Sequence, residues 1–234
     1  MLDQIHEALR ADVPVREDST NELIPPGLAG LVRTSGARFI DGEQHLAVAV
    51  TPSRVAVDTT DYADFDQFFE FLKRVLEAVG AVAPGRACRR LGLRYVDEIR
   101  VPGAVPGDVE QWSAWLDKSL FAASTARPTT DRREISGVLD DSLEGGYGIR
   151  FAWHTGTGYA VQPQGPLIVP NPADPGPYFA LDTDSYWTAT ELLGLGDPSL
   201  VERIAKLHEP IKDLFENCIT DKLRNEVLLP QEES

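Results

Sequence analysis

Residues 46–62 read Leu46-Ala47-Val48-Ala49-Val50-Thr51-Pro52-Ser53-Arg54-Val55-Ala56-Val57-Asp58-Thr59-Thr60-Asp61-Tyr62. Two apolar runs flank Thr51-Pro52-Ser53-Arg54, which is turn chemistry, so the stretch predicts a β-hairpin. The strand-like sequence on its N-terminal side begins near residue 37. A helix follows at once: Phe65, Phe68, Phe69, Leu72, Val75, Leu76 and Val79 fall at helical spacing. Asp64 is its candidate N-cap and Gly80 its candidate end. Three phenylalanines on that stripe suggest a helix laid across a sheet.

The end of this hairpin recurs. Val55-Ala56-Val57-Asp58-Thr59-Thr60-Asp61-Tyr62 aligns with Phe179-Ala180-Leu181-Asp182-Thr183-Asp184-Ser185-Tyr186, identical at Ala, Asp, Thr and Tyr. Each segment precedes a long amphipathic helix. The expected fold class is therefore α+β. Two sheet-plus-long-helix halves, about 37–100 and 133–228, would share one mostly antiparallel sheet within a single domain of 1–234. Helices would cover one face.

Working outward, residues 2–10 carry Leu2, Ile5 and Leu9 and predict a short helix, while 11–36 read as loop. Residues 87–101 alternate. Leu91, Leu93, Tyr95, Asp97, Ile99 and Val101 point one way. Arg90, Gly92, Arg94, Val96, Glu98 and Arg100 point the other. Asp108 caps a helix carrying Val109, Trp112, Trp115, Leu116 and Leu120, ahead of polar loop at 124–132. A strand is expected at 133–140 and a second hairpin at 147–153 and 158–162, turning at Thr155-Gly156-Thr157-Gly158. Six prolines fall between Pro163 and Pro177 and mark an extended loop, in which Leu167-Ile168-Val169 packs or pairs. A strand at 178–184 precedes the last helix, started by Asp197-Pro198. Its positions Leu200, Ile204, Leu207, Ile211, Leu214 and Cys218 follow the spacing of a coiled-coil seam or of one core face. Pro210 interrupts its hydrogen bonding. Residues 230–234 read as a frayed end.

Composition narrows the function classes. The chain has 234 residues, of which 42% are hydrophobic and 25% charged, the balance of a folded soluble protein. Its net charge of −15 repels phosphate backbones, which disfavours nucleic acid and favours a basic protein partner. No apolar run approaches a membrane span, and the first residues are not signal-like, so no membrane partner and a cytoplasmic location are expected. Cys88 and Cys218 do not form a disulfide framework, and Cys218 falls in an apolar stripe as a buried thiol.

Chemistry-bearing patterns are few. His6, His45, His154 and His208 show no metal-ligand spacing. His208-Glu209 is followed by Lys212 where a zincin helix needs histidine. Gly145-Gly146-Tyr147-Gly148 precedes a strand and makes a poor phosphate cradle. No catalytic residue, metal or cofactor is expected. The densest polar cluster is Arg89-Arg90-Leu91-Gly92-Leu93-Arg94-Tyr95-Val96-Asp97-Glu98-Ile99. Arg90 and Arg94 either clamp an anion or peptide carboxylate, or pair with acids across the sheet. Asp97 beside Tyr95 on the inner face needs partners if buried. Asp58 and Asp182 would occupy equivalent strand ends, either as a carboxylate pair or as local turn caps. The candidate binding residues are thus Arg90, Arg94, Tyr95, Asp97, Asp58 and Asp182.

The run Arg90-x-Gly92-Leu93-Arg94-Tyr95-x-Asp97-x-Ile99 resembles the signature of a family of sporadically distributed bacterial proteins. Asp97 stands where that family commonly has asparagine. Tyr62-x-x-Phe65-x-x-Phe68 and the closing helix, Leu207-His208-Glu209-x-Ile211-x-x-Leu214-Phe215-x-x-x-Ile219-Thr220-Asp221-x-Leu223-Arg224, are similar to it as well. The resemblance implies no particular activity or cofactor. Its patchy distribution implies defence-associated or toxin–antitoxin-type loci. The leading expectation is a non-enzymatic protein-binding or accessory protein. The alternatives are an enzyme or small-ligand receptor with a site near Arg94 and Asp97, and a homodimer joined through helix 199–228.

Overall fold

The computed structural model describes residues 1–23, 32–106, 108–121, 133–142 and 145–228. The expected polar loop at 124–132 and frayed end at 230–234 lie outside the described residues. The chain forms two compact units. The first comprises Met1–Ala87, Gln162–Pro172 and Leu193–Val201. The second comprises Cys88–Val161, Ala173–Leu192 and the chain from Glu202 on.

The α+β class holds, but the strands make two four-stranded antiparallel sheets instead of one shared sheet. The first unit holds helix α1 (Leu2–Leu9) and the strands β1 (Val15–Leu23), β2 (Val32–Ile40), β3 (Leu46–Val50) and β4 (Val55–Thr59), followed by helix α2 (Phe65–Val82). Its sheet is a meander in the order β1-β2-β3-β4. The β3–β4 hairpin is the expected one, and Thr51 N–H closes it on the Arg54 carbonyl at 2.8 Å. Strands β1 and β2 correct the reading of 11–36 as loop. Val15-Arg16-Glu17-Asp18 offers no apolar alternation, and a ladder to β2 running from Val15–Ile40 to Leu23–Val32 organises it instead.

Helix α2 starts where its cap predicts, with Asp64 Oδ1 accepting from the Gln67 N–H at 2.8 Å. Gly80 does not end it. That glycine is there because a Cβ would lie 2.8 Å from the Gly196 Cα. The buried face is rotated from the phenylalanine stripe: Phe71, Val75, Ala78 and Val79 are buried, whereas Phe65, Phe68 and Phe69 are only half-buried. Phe71, Val75 and Val79 join Ile5, Leu9, Phe39, Val48 and Val50 in the core of this unit. Leu167, in the proline-rich stretch, is buried with Ile40 and Ala47, as expected.

The second sheet has the order β5-β8-β7-β6. Its strands are β5 (Ala87–Ile99), β6 (Arg133–Ser142), β7 (Gly145–Gly158) and β8 (Gly176–Gly194). The predicted hairpin turning at 155–158 is absent: β7 runs straight through, paired to β8 from Gly146–Thr188 to Gly158–Gly176. Glycine here serves the pleat. Tyr178 and Tyr186 lie flat on their opposite residues Gly156 and Gly148, where any Cβ would fall within 2.6 Å of the ring or its hydroxyl. The helix predicted from Asp108 is one turn, α3 (Val109–Trp112), capped by Asp108 and followed by a 3-10 turn at Lys118–Phe121. Trp112, Trp115, Leu116 and Leu120 fill the core with Phe151, Phe179 and Leu181.

The last long helix, α4 (Ser199–Cys218), carries Pro210 within it. It is followed by the short helix α5 (Asp221–Leu223) and a π-helical turn at Arg224–Leu228. The coiled-coil-like positions Leu200, Ile204, Leu207, Ile211 and Cys218 are buried within the chain itself. The spacing therefore marks a core face, with Leu214 half-buried. The Asp-Thr repeat lies on β4 and β8, but these strands hold different places. β4 ends its sheet, while β8 is flanked by β5 and β7.

Candidate functional site

Strand β5 alternates as its sequence predicts. Leu93 and Ile99 are buried, Tyr95 and Asp97 are half-buried, and Arg90, Gly92 and Arg94 face the other way. Beside it, β8 presents Asp182, Asp184 and Tyr186 at the same two-residue spacing. The two rows interlock. Arg94 Nε and Nη2 donate to Asp182 Oδ1 and Oδ2 at 2.7 and 2.9 Å, a bidentate fork. Arg90 Nη2 donates to Asp184 Oδ2 at 2.9 Å, and its guanidinium lies 4.8 Å from the centre of the Tyr186 ring. Gly92 makes this possible: a Cβ there would sit 2.8 Å from Arg90 Nη1.

The strand ends in a third pair. Arg100 and Glu98 approach to 2.6 Å, and Arg100 donates to the Gly158 carbonyl. Glu98 accepts the Ala160 and Val161 amides, which binds the exit of β7 to β5. Of the two readings of Arg90 and Arg94, the structure favours pairing across the sheet. Each guanidinium faces a carboxylate that is more buried than itself. The Asp182 hydrogen bond raises the Arg94 pKa further, so that charge is fixed.

Arg94 and Asp97 stand on opposite faces of β5 and do not form one site. Asp97 belongs to the inner face, beside Ile99 of the hydrophobic core. Burial pushes its carboxyl up to about 6. The nearby Cys218 thiol is pushed up to about 12, first by burial and then by the negative charges of Asp117 and Asp97. Tyr95 tilts against His208 of α4, their rings 6.1 Å apart. A little further along, Arg203 of α4 stacks 4.3 Å from the centre of Trp187 and donates to the Tyr147 hydroxyl at 3.1 Å. The contact of this sheet face with α4 therefore mixes apolar packing with Tyr95, Asp97 and Tyr147 of the strands and Arg203 and His208 of the helix.

Asp58 is elsewhere. It is exposed on β4, opposite Ala47, in the sheet of the first unit, whereas Asp182 is buried on β8. The two aspartates share a sequence context and belong to different units. Sequence reasoning missed Asp184 and Glu98 as arginine partners. The signal was present in Asp182-Thr183-Asp184, where the first and third residues must share a face, as Arg90 and Arg94 do. Among the described residues no group of three or more His, Cys, Asp or Glu could hold a metal ion. No helix is long and apolar enough to cross a membrane. No family model, curated protein or solved structure matches the chain.

Proposed function

We propose that this chain is a non-catalytic protein-binding module for a basic partner. It would act in the cytoplasm as an accessory or neutralising protein in a bacterial defence or toxin–antitoxin-like locus, as the resemblance above implies. The observation that supports this reading is the pairing of Arg90 with Asp184, Arg94 with Asp182 and Arg100 with Glu98. Arg90 and Arg94 of the densest polar cluster are thereby held by carboxylates of the neighbouring strand. The surplus of acids, 37 against 22 basic residues, is left to shape the field that a partner meets. Such a field speeds encounter with a basic surface and weakens as salt rises. The test is recovery of the tagged protein from its native cells at low salt, with mass spectrometry of what accompanies it. One stoichiometric basic protein, lost at high salt, is expected. A clean preparation at low salt overturns the proposal.

One observation favours a second reading, a small-ligand receptor or enzyme. Asp97 is a carboxyl with a raised pKa beside Tyr95, the environment in which acid–base groups and ligand contacts are found. A metabolite co-purifying with wild type and absent from Asp97→Asn supports it. Identical bound fractions from the two proteins remove it.

A further inference from the structure

Asp58 of β4 and Asp182 of β8 stand in matching surroundings. Each lies opposite an alanine of the preceding strand, Ala47 and Ala152, and both alanines are fully buried. Each also stands on the sheet face turned away from a long helix. Asp58 shares its face with Ala47 and Ala56, whereas Val48 and Val50 of β3 pack with Phe71 and Val75 of α2. Asp182 shares its face with Asp184 and Tyr186, whereas Trp187 and Tyr147 meet Arg203 of α4. The two strands differ on their remaining side. β8 has β5 beside it, and Arg94 of β5 holds Asp182 in a fork. β4 is the last strand of its sheet, and among the described residues no strand pairs with its outer edge. Asp58 is exposed there, and no described lysine or arginine is paired with it. Arg38, on the same face of this sheet, donates instead to the Pro166 carbonyl at 2.6 Å.

The charge around this edge indicates what fits it. Residues 55–72 hold five carboxylates, Asp58, Asp61, Asp64, Asp66 and Glu70, all exposed, and no lysine or arginine. Among the described residues only Glu70 has an ion-pair partner, Lys73. The strand itself contains no lysine or proline, the residues that discourage pairing at an edge, and its five residues set the length of segment that fits. Its side chains alternate, with Val55, Val57 and Thr59 on one face and Ala56 and Asp58 on the other. An added strand of alternating apolar and basic residues sets its apolar side chains beside the valines and brings an arginine to Asp58, and the small Ala56 leaves space for the arginine stem. In such additions the main-chain hydrogen bonds give affinity and the alternate side chains give selectivity. We propose that the outer edge of β4 receives an extended, arginine-bearing segment of a basic partner protein, which takes beside Asp58 the place that β5 and Arg94 take beside Asp182. This rests on the reading of a basic partner given above and adds the surface that holds it.

The test uses the full chain and a capped, fluorescent peptide of about eight residues that alternates arginine and valine. Saturable binding is expected, with the β4 amides gaining hydrogen-exchange protection when the peptide is bound. Asp58→Asn should raise the Kd about tenfold with an unchanged circular dichroism spectrum. Asp213→Asn, the same change of charge at an exposed position of α4, should leave the Kd unchanged. A peptide with lysine in place of arginine keeps the charge and loses the fork, so it should bind about threefold or more weakly. No saturable binding, equal effects of Asp58→Asn and Asp213→Asn, equal affinity for the two peptides, or protection outside β4 overturns the proposal. So does β4 protection that grows with protein concentration in the absence of peptide, which would mark a second copy as the occupant. In recovery from native cells, a basic protein held equally by wild type and Asp58→Asn overturns this surface and leaves the basic partner standing. Recovery by neither removes the partner, and this surface with it.

Discussion

Arg94 and Asp182 meet through two parallel hydrogen bonds, at 2.7 and 2.9 Å, with unequal burial: the Asp182 side chain is 5% exposed and that of Arg94 54%. The carboxylate depends on the guanidinium more than the reverse, because losing Arg94 strands a charge away from water.

Arg94→Ala should therefore destabilise the fold by about 2–3 kcal/mol, a value reduced from the fully buried case because Arg94 is half in solvent. Arg90→Ala should cost about 1 kcal/mol, since Asp184, at 15% exposure, retains more contact with water. Chemical denaturation of the two variants measures the difference. Equal losses would show that the burial of the carboxylate does not set the cost.

Asp97 makes stability depend on pH with a definite sign. Its carboxyl titrates near 3.8 when unfolded and at about 6 when folded, so the native state binds more protons between those values. Unfolding free energy must fall as pH rises through this window. The penalty is absent below the unfolded pKa and complete above the folded one, up to about 3 kcal/mol. Asp97→Asn should remove this slope and raise stability at neutral pH by about 1–2 kcal/mol. Melting curves at a series of pH values for both proteins test it, and parallel curves refute it.

Two glycines with similar close contacts should respond differently to alanine. At Gly80 the new Cβ meets Gly196 Cα at 2.8 Å, which is backbone and cannot retreat. At Gly92 it meets the far end of the flexible Arg90 side chain at the same distance. Gly80→Ala should cost about 2 kcal/mol or more, through overpacking. Gly92→Ala should cost under about 1 kcal/mol and loosen the Arg90–Asp184 pair. Thermal unfolding ranks the two, and the reverse order contradicts the contact argument.

Cys218 and Cys88 should both resist thiol reagents in the folded protein. Burial raises both pKa values, that of Cys218 to about 12, so almost no thiolate exists at neutral pH. Titration with a chromogenic disulfide should read no thiol before denaturant and two after it. Fast labelling of either thiol in the native state would contradict this burial.

The sequence showed those features whose causes are local. Asp64 caps α2 because its side chain reaches an amide three residues on, and Asp108 caps α3 in the same way. The turn at Thr51–Arg54 is closed by its own residues. The alternation of β5 placed Arg94 and Asp97 on opposite faces, since a pleated strand permits nothing else. Its rotational reading of α2 was less accurate. Phe71, and not the run of Phe65, Phe68 and Phe69, enters the core, because a helix with apolar residues on several sides is oriented by what it packs against.

Only the tertiary structure decided the rest. Nothing in Val15-Arg16-Glu17-Asp18 announces a strand, because its order comes from the ladder with β2. Nothing local tells β7 to run on through Gly156; the facing Tyr178 fills the space that glycine leaves. The division into two sheets and the fork between Arg94 and Asp182, 88 positions apart, rest on which strands become neighbours. Residue periodicity records which side of a strand or helix is apolar. It does not record the partner, because pairing depends on the closure of long loops and on the packing of surfaces that exist only once the chain has folded.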